Sequence, residues 1–233
     1  MKITLIPLET EKQLLQRVDM LGHICYAPDY TVRELDQCLK FIKNIIKNRH
    51  LSVTEHAVFS FTIEDVSRST THQLVRHRMM SVSQQSQRYV KYDNVKYVTP
   101  KSFSIAYYED NLDKDVKDEI KEIYEKCLAN NTDTYKKLIE LGVKKEDARY
   151  VLPEATCSKI SITINLRSLI NLWELRLDKH AQLEIQMMAY KMAKEIERVY
   201  PNLYEILKEN VLDKINYSDY IKDGKVNSLS LRD

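Results

Sequence analysis

The sequence predicts an α+β fold in one domain, with long helices flanking a small, mostly antiparallel sheet. Three segments alternate apolar and polar residues as half-buried strands do, at residues 2–7, 57–63 and 158–165. Longer segments repeat apolar residues with the period of a helix. No internal repeat, linker or low-complexity block interrupts the 233 residues, a length that suits one domain with a sizeable core.

The helices are predicted from apolar spacing and from their end signals. Thr10 is a candidate N-cap for the first helix, and Gly142 suits the position just after a helix C-terminus. The glutamine-rich stretch after residue 76 is expected to be a loop. Helices are expected over residues 10–25, 31–48, 71–76, 166–176 and 181–199, with two more on a solvated flank over 108–142.

Composition bounds the domain, its compartment and its partners. We expect a globular domain over residues 1–215 and a loosely ordered tail over 216–233.

The net charge of +2 gives no excess to drive binding to nucleic acid or membrane, and no run of 18 apolar residues occurs. The four cysteines lack CxxC spacing, which predicts reduced core thiols in a cytoplasmic protein. The three glycines exclude a glycine-rich dinucleotide loop.

Arginine is concentrated in one polar stretch of the chain. Arg76, Arg78 and Arg88 lie in an interval between Asp65 and Asp93 that holds no acid. A guanidinium group binds phosphate through two parallel hydrogen bonds or stacks on a flat ring, and the neighbouring serines and glutamines add neutral donors. The stretch therefore predicts a site for a phosphorylated, aromatic small molecule. An exposed polar turn is the alternative.

A second stretch without acids supports the first. Residues 155–173 contain Lys159 and Arg167, with Arg149 and Arg176 on either side, and half of the twelve arginines lie in the two stretches. No metal site is expected, because the six histidines include no HExxH motif and no i, i+4 pair. The serines lack the GxSxG frame of a nucleophile.

The assembled residues resemble the signature of the flavin-dependent thymidylate synthases, RHRxxSxxxxSxR. Its six fixed positions are satisfied by Arg76, His77, Arg78, Ser81, Ser86 and Arg88. The resemblance extends over about residues 1–205, with further blocks at Glu55-His56, Asp147-Ala148-Arg149, Leu152-Pro153, Asn165 to Arg176, and Ala181 to Ile185.

The resemblance implies reductive methylation of dUMP to dTMP. In this family 5,10-methylenetetrahydrofolate is the carbon donor and becomes tetrahydrofolate, FAD mediates the reduction, and NADPH reduces the flavin. No cysteine serves as nucleophile. The resemblance also implies a homotetramer whose active sites are shared between subunits.

Carried over position by position, the resemblance assigns Arg176 to catalysis, where its charge would polarise the uracil edge. The residues assigned to the nucleotide are Gln73, Arg76, Gln84, Gln85, Ser86, Gln87, Arg88, Arg149 and Arg176, with the phosphate on Ser86, Arg88 and Arg149. The residues assigned to FAD are Ser52, Glu55, Arg76, His77, Arg78, Gln84, Asn165, Arg167, Asn171 and His180, with His50 near the flavin.

One departure leaves alternatives open. Ser83-Gln84 stands where many family members have Asn-Glu, so the nucleotide and flavin contacts at these two positions are not fixed by the resemblance. A non-catalytic relative that binds nucleotide without turnover is one alternative, and Gln84 is its only hint. A nucleic-acid-binding module that stacks bases on arginine and tyrosine is another, which the near-neutral charge disfavours.

Overall fold

The computed structural model describes residues 1–25, 27, 29, 31–90, 95–103 and 113–222. The strands of this part are β1 (Lys2–Ile6), β2 (Val58–Ser67), β3 (Met80–Gln84) and β4 (Cys157–Asn165). They form a sheet in the order β1-β2-β4-β3 with every pairing antiparallel. The predicted α+β class and the small antiparallel sheet are confirmed.

The helices that flank the sheet carry the end signals seen in the sequence. Thr10 caps the first helix by accepting a hydrogen bond from the Gln13 backbone, and Gly142 adopts φ 89° just after the fourth. The helices are α1 (Glu11–His23), α2 (Leu35–Lys47), α3 (Arg68–Leu74), α4 (Lys114–Glu140), α5 (Lys145–Ala148), α6 (Leu166–Arg176), α7 (Leu183–Val199), α8 (Pro201–Asn210) and α9 (Asp219–Lys222).

The hydrophobic core lies between one face of the sheet and the long helices. Alternate residues of β2 and β4, such as Phe59, Phe61 and Ile162, are buried on that face, as their period-two pattern predicts. Trp173 on α6 is fully buried, and its indole N–H donates to the Ala189 carbonyl at 3.1 Å. The packing fixes α6 against α7, and with it the residues at the start and end of α6.

The prediction of a loop after residue 76 is wrong over Met80–Gln84, which form the edge strand β3. Ser81 and Ser83 pair with Thr163 and Ser161 of β4, on the sheet face away from the core. The usual apolar alternation is weak here, because an edge strand faces water on one side and Val82 is itself 39% exposed. Pairing with β4, rather than the local sequence pattern, makes this segment a strand.

The prediction of two helices over residues 108–142 is wrong for its described part, which is the single helix α4; residues 108–112 lie outside the described residues. Polar residues near Thr132 weaken helical propensity, but tertiary contacts hold the helix there. The Thr132 hydroxyl bonds to the Leu128 carbonyl and to the Tyr97 hydroxyl, and Tyr135 is buried.

Residues 217–222 are packed against the domain. The Ser218 hydroxyl donates to Gln186 at 2.6 Å, and Ile221 is buried beside Met187. Residues 223–233 lie outside the described residues, so the division at residue 215 stays a prediction.

The cysteines and the helix lengths bear on the compartment. None of the four cysteines is in a disulfide, but only Cys38 and Cys157 are buried, so the prediction of core thiols is wrong for the exposed Cys25 and Cys127. Among the described residues, no helix combines the length and the apolar character needed to cross a membrane.

Candidate active site

A cavity of about 540 Å³ lies between the residues that follow α3 and the exposed side of α6. We call it the first cavity. Six of the residues predicted to contact FAD line it, and they come from three separate parts of the chain: Glu55, His77, Arg78, Asn165, Arg167 and Asn171. The volume is in the usual range for a small-molecule site.

Local structure at the start of α6 explains how these residues reach the cavity. Asn165 ends β4 and caps α6, its side-chain oxygen accepting a hydrogen bond from the Ser168 backbone at 2.9 Å. Arg167 and Asn171 are four residues apart and share one helix face. Arg167 also pairs with Glu55 at 2.6 Å, an exposed ion pair that ligands in the cavity can displace at a cost of at most about 1 kcal/mol.

His77 and Arg176 form the most constrained contact of the site. The Arg176 Nε donates to His77 Nε2 at 2.9 Å, so that this nitrogen carries no proton. Burial, and then the charge of Arg176, lower the pKa of His77 below its ordinary value. In the part of the chain that the structure describes, the other guanidinium N–H groups of Arg176 make no hydrogen bond, which leaves them available to a ligand.

The residues predicted to bind phosphate form a separate group. Arg88 pairs with Glu146 through Nε at 2.9 Å, and Arg149 donates to the Glu146 carbonyl at 3.0 Å. The Ser86 hydroxyl accepts the Arg88 backbone N–H at 3.2 Å. We call Ser86, Arg88 and Arg149 the anion cluster. None of its members lines the first cavity.

The glutamines predicted to bind the nucleotide are held mainly by protein contacts. The Gln84 amide donates to the hydroxyls of Thr71 at 3.0 Å and Ser158 at 3.1 Å. The Gln73 amide donates to the Gln182 side chain, and the Gln85 backbone N–H donates to the Lys159 carbonyl.

Gln87 differs from these three glutamines. Its residue is 5% exposed, and its side-chain nitrogen has no hydrogen-bond partner among the described residues.

Four predicted FAD residues lie outside the first cavity: Ser52, Arg76, Gln84 and His180. Ser52 is exposed before a short 3-10 turn, Arg76 is exposed, and His180 is exposed and pairs with Asp178 at 2.6 Å. The structure therefore brings together most, but not all, of the predicted FAD residues.

Two charged residues that the sequence reasoning missed, Arg49 and Glu174, line the cavity. Arg49 pairs with Glu174 through two hydrogen bonds of 2.6 and 3.2 Å. Arg49 has φ 61° and follows α2 at the position that favours glycine. A side chain at this left-handed position costs roughly 1 kcal/mol or more, which the ion pair partly offsets. The only signal in the sequence was that arginine, not glycine, stands at position 49, two residues after the last residue of α2.

No group of three or more potential metal-binding side chains occurs within the described ranges. The polar groups that line the first cavity are arginine, histidine, serine and amide side chains, together with the carboxylates of Glu55 and Glu174, which pair with Arg167 and Arg49. This set suits hydrogen bonding to an anionic or polar ligand.

Comparison with known sequences identifies the family. The profile of the family described as "Thymidylate synthase complementing protein" matches residues 8–202. The relative from Saccharolobus solfataricus is 36% identical over 216 residues, which cover 88% of this chain and 79% of the relative. The relatives from Geobacter sulfurreducens and Clostridium tetani are 37% and 39% identical, over 80% and 78% of this chain and 79% and 77% of their own lengths.

All three relatives carry the name flavin-dependent thymidylate synthase. The matched region contains both β3 and α6. It also contains every residue of the first cavity and of the anion cluster. The chain belongs to the flavin-dependent thymidylate synthase family.

Proposed function

We propose that the protein makes dTMP by reductive methylation of dUMP, with 5,10-methylenetetrahydrofolate as carbon donor, FAD as cofactor and NADPH as reductant. The observation that carries this proposal is the first cavity, where His77 and Arg78 meet the amides of Asn165 and Asn171. Arg176 lies beside the cavity, hydrogen-bonded to His77. A flat ring with an anionic tail matches this set of donors.

The residues present fit a flavin. Arg78 and Arg167 would offer charge to a pyrophosphate, while Asn165 and Asn171 would offer amide donors and acceptors to a ring. Bound FAD would supply the hydride chemistry that the side chains of the protein lack. No cysteine lines the first cavity, which is consistent with a reaction that uses no cysteine nucleophile.

Arg176 would act on the uracil ring. Its free N–H groups can hydrogen-bond to a carbonyl oxygen, and a fixed cation stabilises negative charge that develops on the ring during reaction. His77 holds the Nε of Arg176, so the guanidinium plane is oriented before the substrate binds. The anion cluster would bind the phosphate of dUMP, with Arg88 exchanging Glu146 for the substrate.

We further propose that the enzyme is a homotetramer in which active sites combine residues of different subunits. Strand β3 separates the two halves of the motif by about 13 Å along its length, given ~3.3 Å per residue. Apolar and aromatic side chains near both halves are exposed, with Met79 at 69%, Tyr89 at 76% and Tyr150 at 83%. A second copy that covered them would bring an anion cluster to a first cavity.

The proposal has a direct spectroscopic and kinetic test. Purified protein, reconstituted with FAD where needed, is expected to show the visible absorption of a bound flavin. It is also expected to release tritium from labelled dUMP when NADPH and the folate are present. Flavin and dUMP binding without tritium release would instead identify a non-catalytic relative. Absence of flavin binding at micromolar concentrations would refute the proposal.

A further inference from the structure

A second cavity, of about 390 Å³, adjoins the first. The two cavities share Arg49 and Glu174, whose ion pair therefore forms the wall between them. Residues from the end of α2, from Asp178, and from the segment after α8 line the rest of the second cavity. A ligand longer than the first cavity could therefore extend past this wall.

The charges of the second cavity favour an anion. Its three cations are Lys47, Arg49 and Lys214, and its two acids are Glu174 and Asp178. Both acids are engaged, since Glu174 receives two hydrogen bonds from Arg49 and Asp178 accepts the backbone N–H and ring of His180.

The two lysines are the groups left without a partner. Within the described ranges, the side chain of neither Lys47 nor Lys214 makes a hydrogen bond or ion pair. The nearby Glu209 has its pKa lowered by a hydrogen bond from Lys43, and more weakly by the charges of Lys47 and Lys214. That carboxylate is bound at 2.7 Å by Lys43, which does not line the cavity. The second cavity thus presents two uncompensated ammonium groups next to the proposed ring site.

We infer that the second cavity binds the carboxylate- or phosphate-bearing end of a small molecule whose ring reaches the flavin bound in the first cavity. This inference rests on the proposed function, which supplies two such molecules. One is the folate co-substrate, with its glutamate tail, and the other is the reduced dinucleotide, with its phosphates. Both present the anionic chemistry that the two lysines select.

The test compares the Lys47→Gln, Lys214→Gln double variant with the matched control Lys40→Gln, an exposed lysine of α2 that lines neither cavity. Wild-type flavin absorption and tritium release are measured first, so that a failure of the proposed function is recognised separately. Thermal melting then checks that both variants are folded. We then measure the Michaelis constants for mono- and triglutamyl methylenetetrahydrofolate and for NADPH. Calorimetric binding of 4-aminobenzoyl-triglutamate to the FAD-loaded protein adds a readout that needs no turnover.

The double variant is expected to lose roughly tenfold in affinity for the anionic ligand, since each partly exposed charge pair contributes a few-fold. A loss confined to the triglutamyl folate and its fragment identifies the folate tail. A loss confined to NADPH identifies the dinucleotide. Unchanged constants for both ligands, or an equal loss in Lys40→Gln, would overturn the inference, because the cavity lysines would then have no specific role.

Discussion

The two halves of the arginine motif lie twelve residues apart at most, yet their surroundings differ in kind. The first half, at His77, is half-buried, lines a cavity and touches Arg176. The second half, at Arg88, is exposed and pairs with Glu146. The edge strand β3 lies between them along the chain, and Arg88 does not line the first cavity.

The difference teaches that one continuous motif can serve two chemical tasks. In the buried half, the neutral imidazole of His77 accepts a hydrogen bond from Arg176. This contact fixes the orientation of the guanidinium group for a ring. The exposed half holds an arginine on an acid that a phosphate can replace. Giving up the exposed Arg88–Glu146 pair costs at most about 1 kcal/mol, whereas a charge-assisted hydrogen bond to phosphate contributes about 1.5–3 kcal/mol. Exchange of partners is therefore favourable.

Substitution Arg176→Ala has the largest expected effect, because it removes the charge that we propose acts on the reacting ring. We expect kcat to fall by about 10²–10³-fold, as for the loss of one donor to a developing charge. Flavin absorption should persist, since Arg176 is not among the residues that line the first cavity. Tritium release from labelled dUMP measures the rate, and full residual activity would contradict the catalytic role.

Substitution Arg88→Ala tests the exposed half of the motif. We expect the KM for dUMP to rise about 10–100-fold, the equivalent of one or two charge-assisted hydrogen bonds, with kcat nearly unchanged. Glu146→Gln is the matched control, because it removes the acid that competes with the phosphate and should not raise KM. A fall in kcat at constant KM would instead place Arg88 at the reacting ring.

The sequence predicted the elements with strong periodicity and missed those set by tertiary contact. Strand β4 and helix α6 follow from their apolar spacing, and the shared face of Arg167 and Asn171 follows from the helical period. The assignment of these two residues to FAD came from the resemblance. β3 could not be predicted, because an edge strand with serines on its outer face lacks clear alternation.

Residues outside the motif also divide into those that the local sequence predicts and those that depend on tertiary contacts. Arg49 could not be found from the sequence either, because its role depends on Glu174, 125 positions away in the chain. The motif resemblance grouped Ser86, Arg88 and Arg149, and in the structure both arginines bond to Glu146, but the resemblance could not supply the separation of this cluster from the first cavity. The assignment of the cluster to phosphate stays a prediction.

The buried half of the motif also predicts a pH dependence of stability. Because the pKa of His77 is lowered from its ordinary 6.5, the unfolded chain binds the extra proton at a pH just below 6.5. The contribution of His77 to stability is thus fully present above about pH 6.5 and is lost as the pH falls towards the folded pKa.

Thermal melting of the wild type and of His77→Gln between pH 5.5 and 7.5 measures this contribution, at roughly the pH range where histidine titrates. The variant should lose less stability on acidification than the wild type. His72→Gln removes an exposed histidine and serves as the control. Identical pH profiles for all three proteins would show that His77 is not perturbed, and would weaken the contrast between the two halves.

The smallest effect is expected between the two halves, at Gln84 on β3. Its amide donates to the hydroxyls of Thr71 and Ser158, and a carboxylate in its place would accept hydrogen bonds from the same hydroxyls after they rotate. Gln84→Glu should therefore change the free energy of unfolding by no more than about 1 kcal/mol. Denaturant unfolding measures this change, and dUMP affinity is measured beside it. A large loss of dUMP affinity with unchanged stability would mean that the added charge repels the phosphate, and that residue 84 lies next to the anion site in the assembled enzyme.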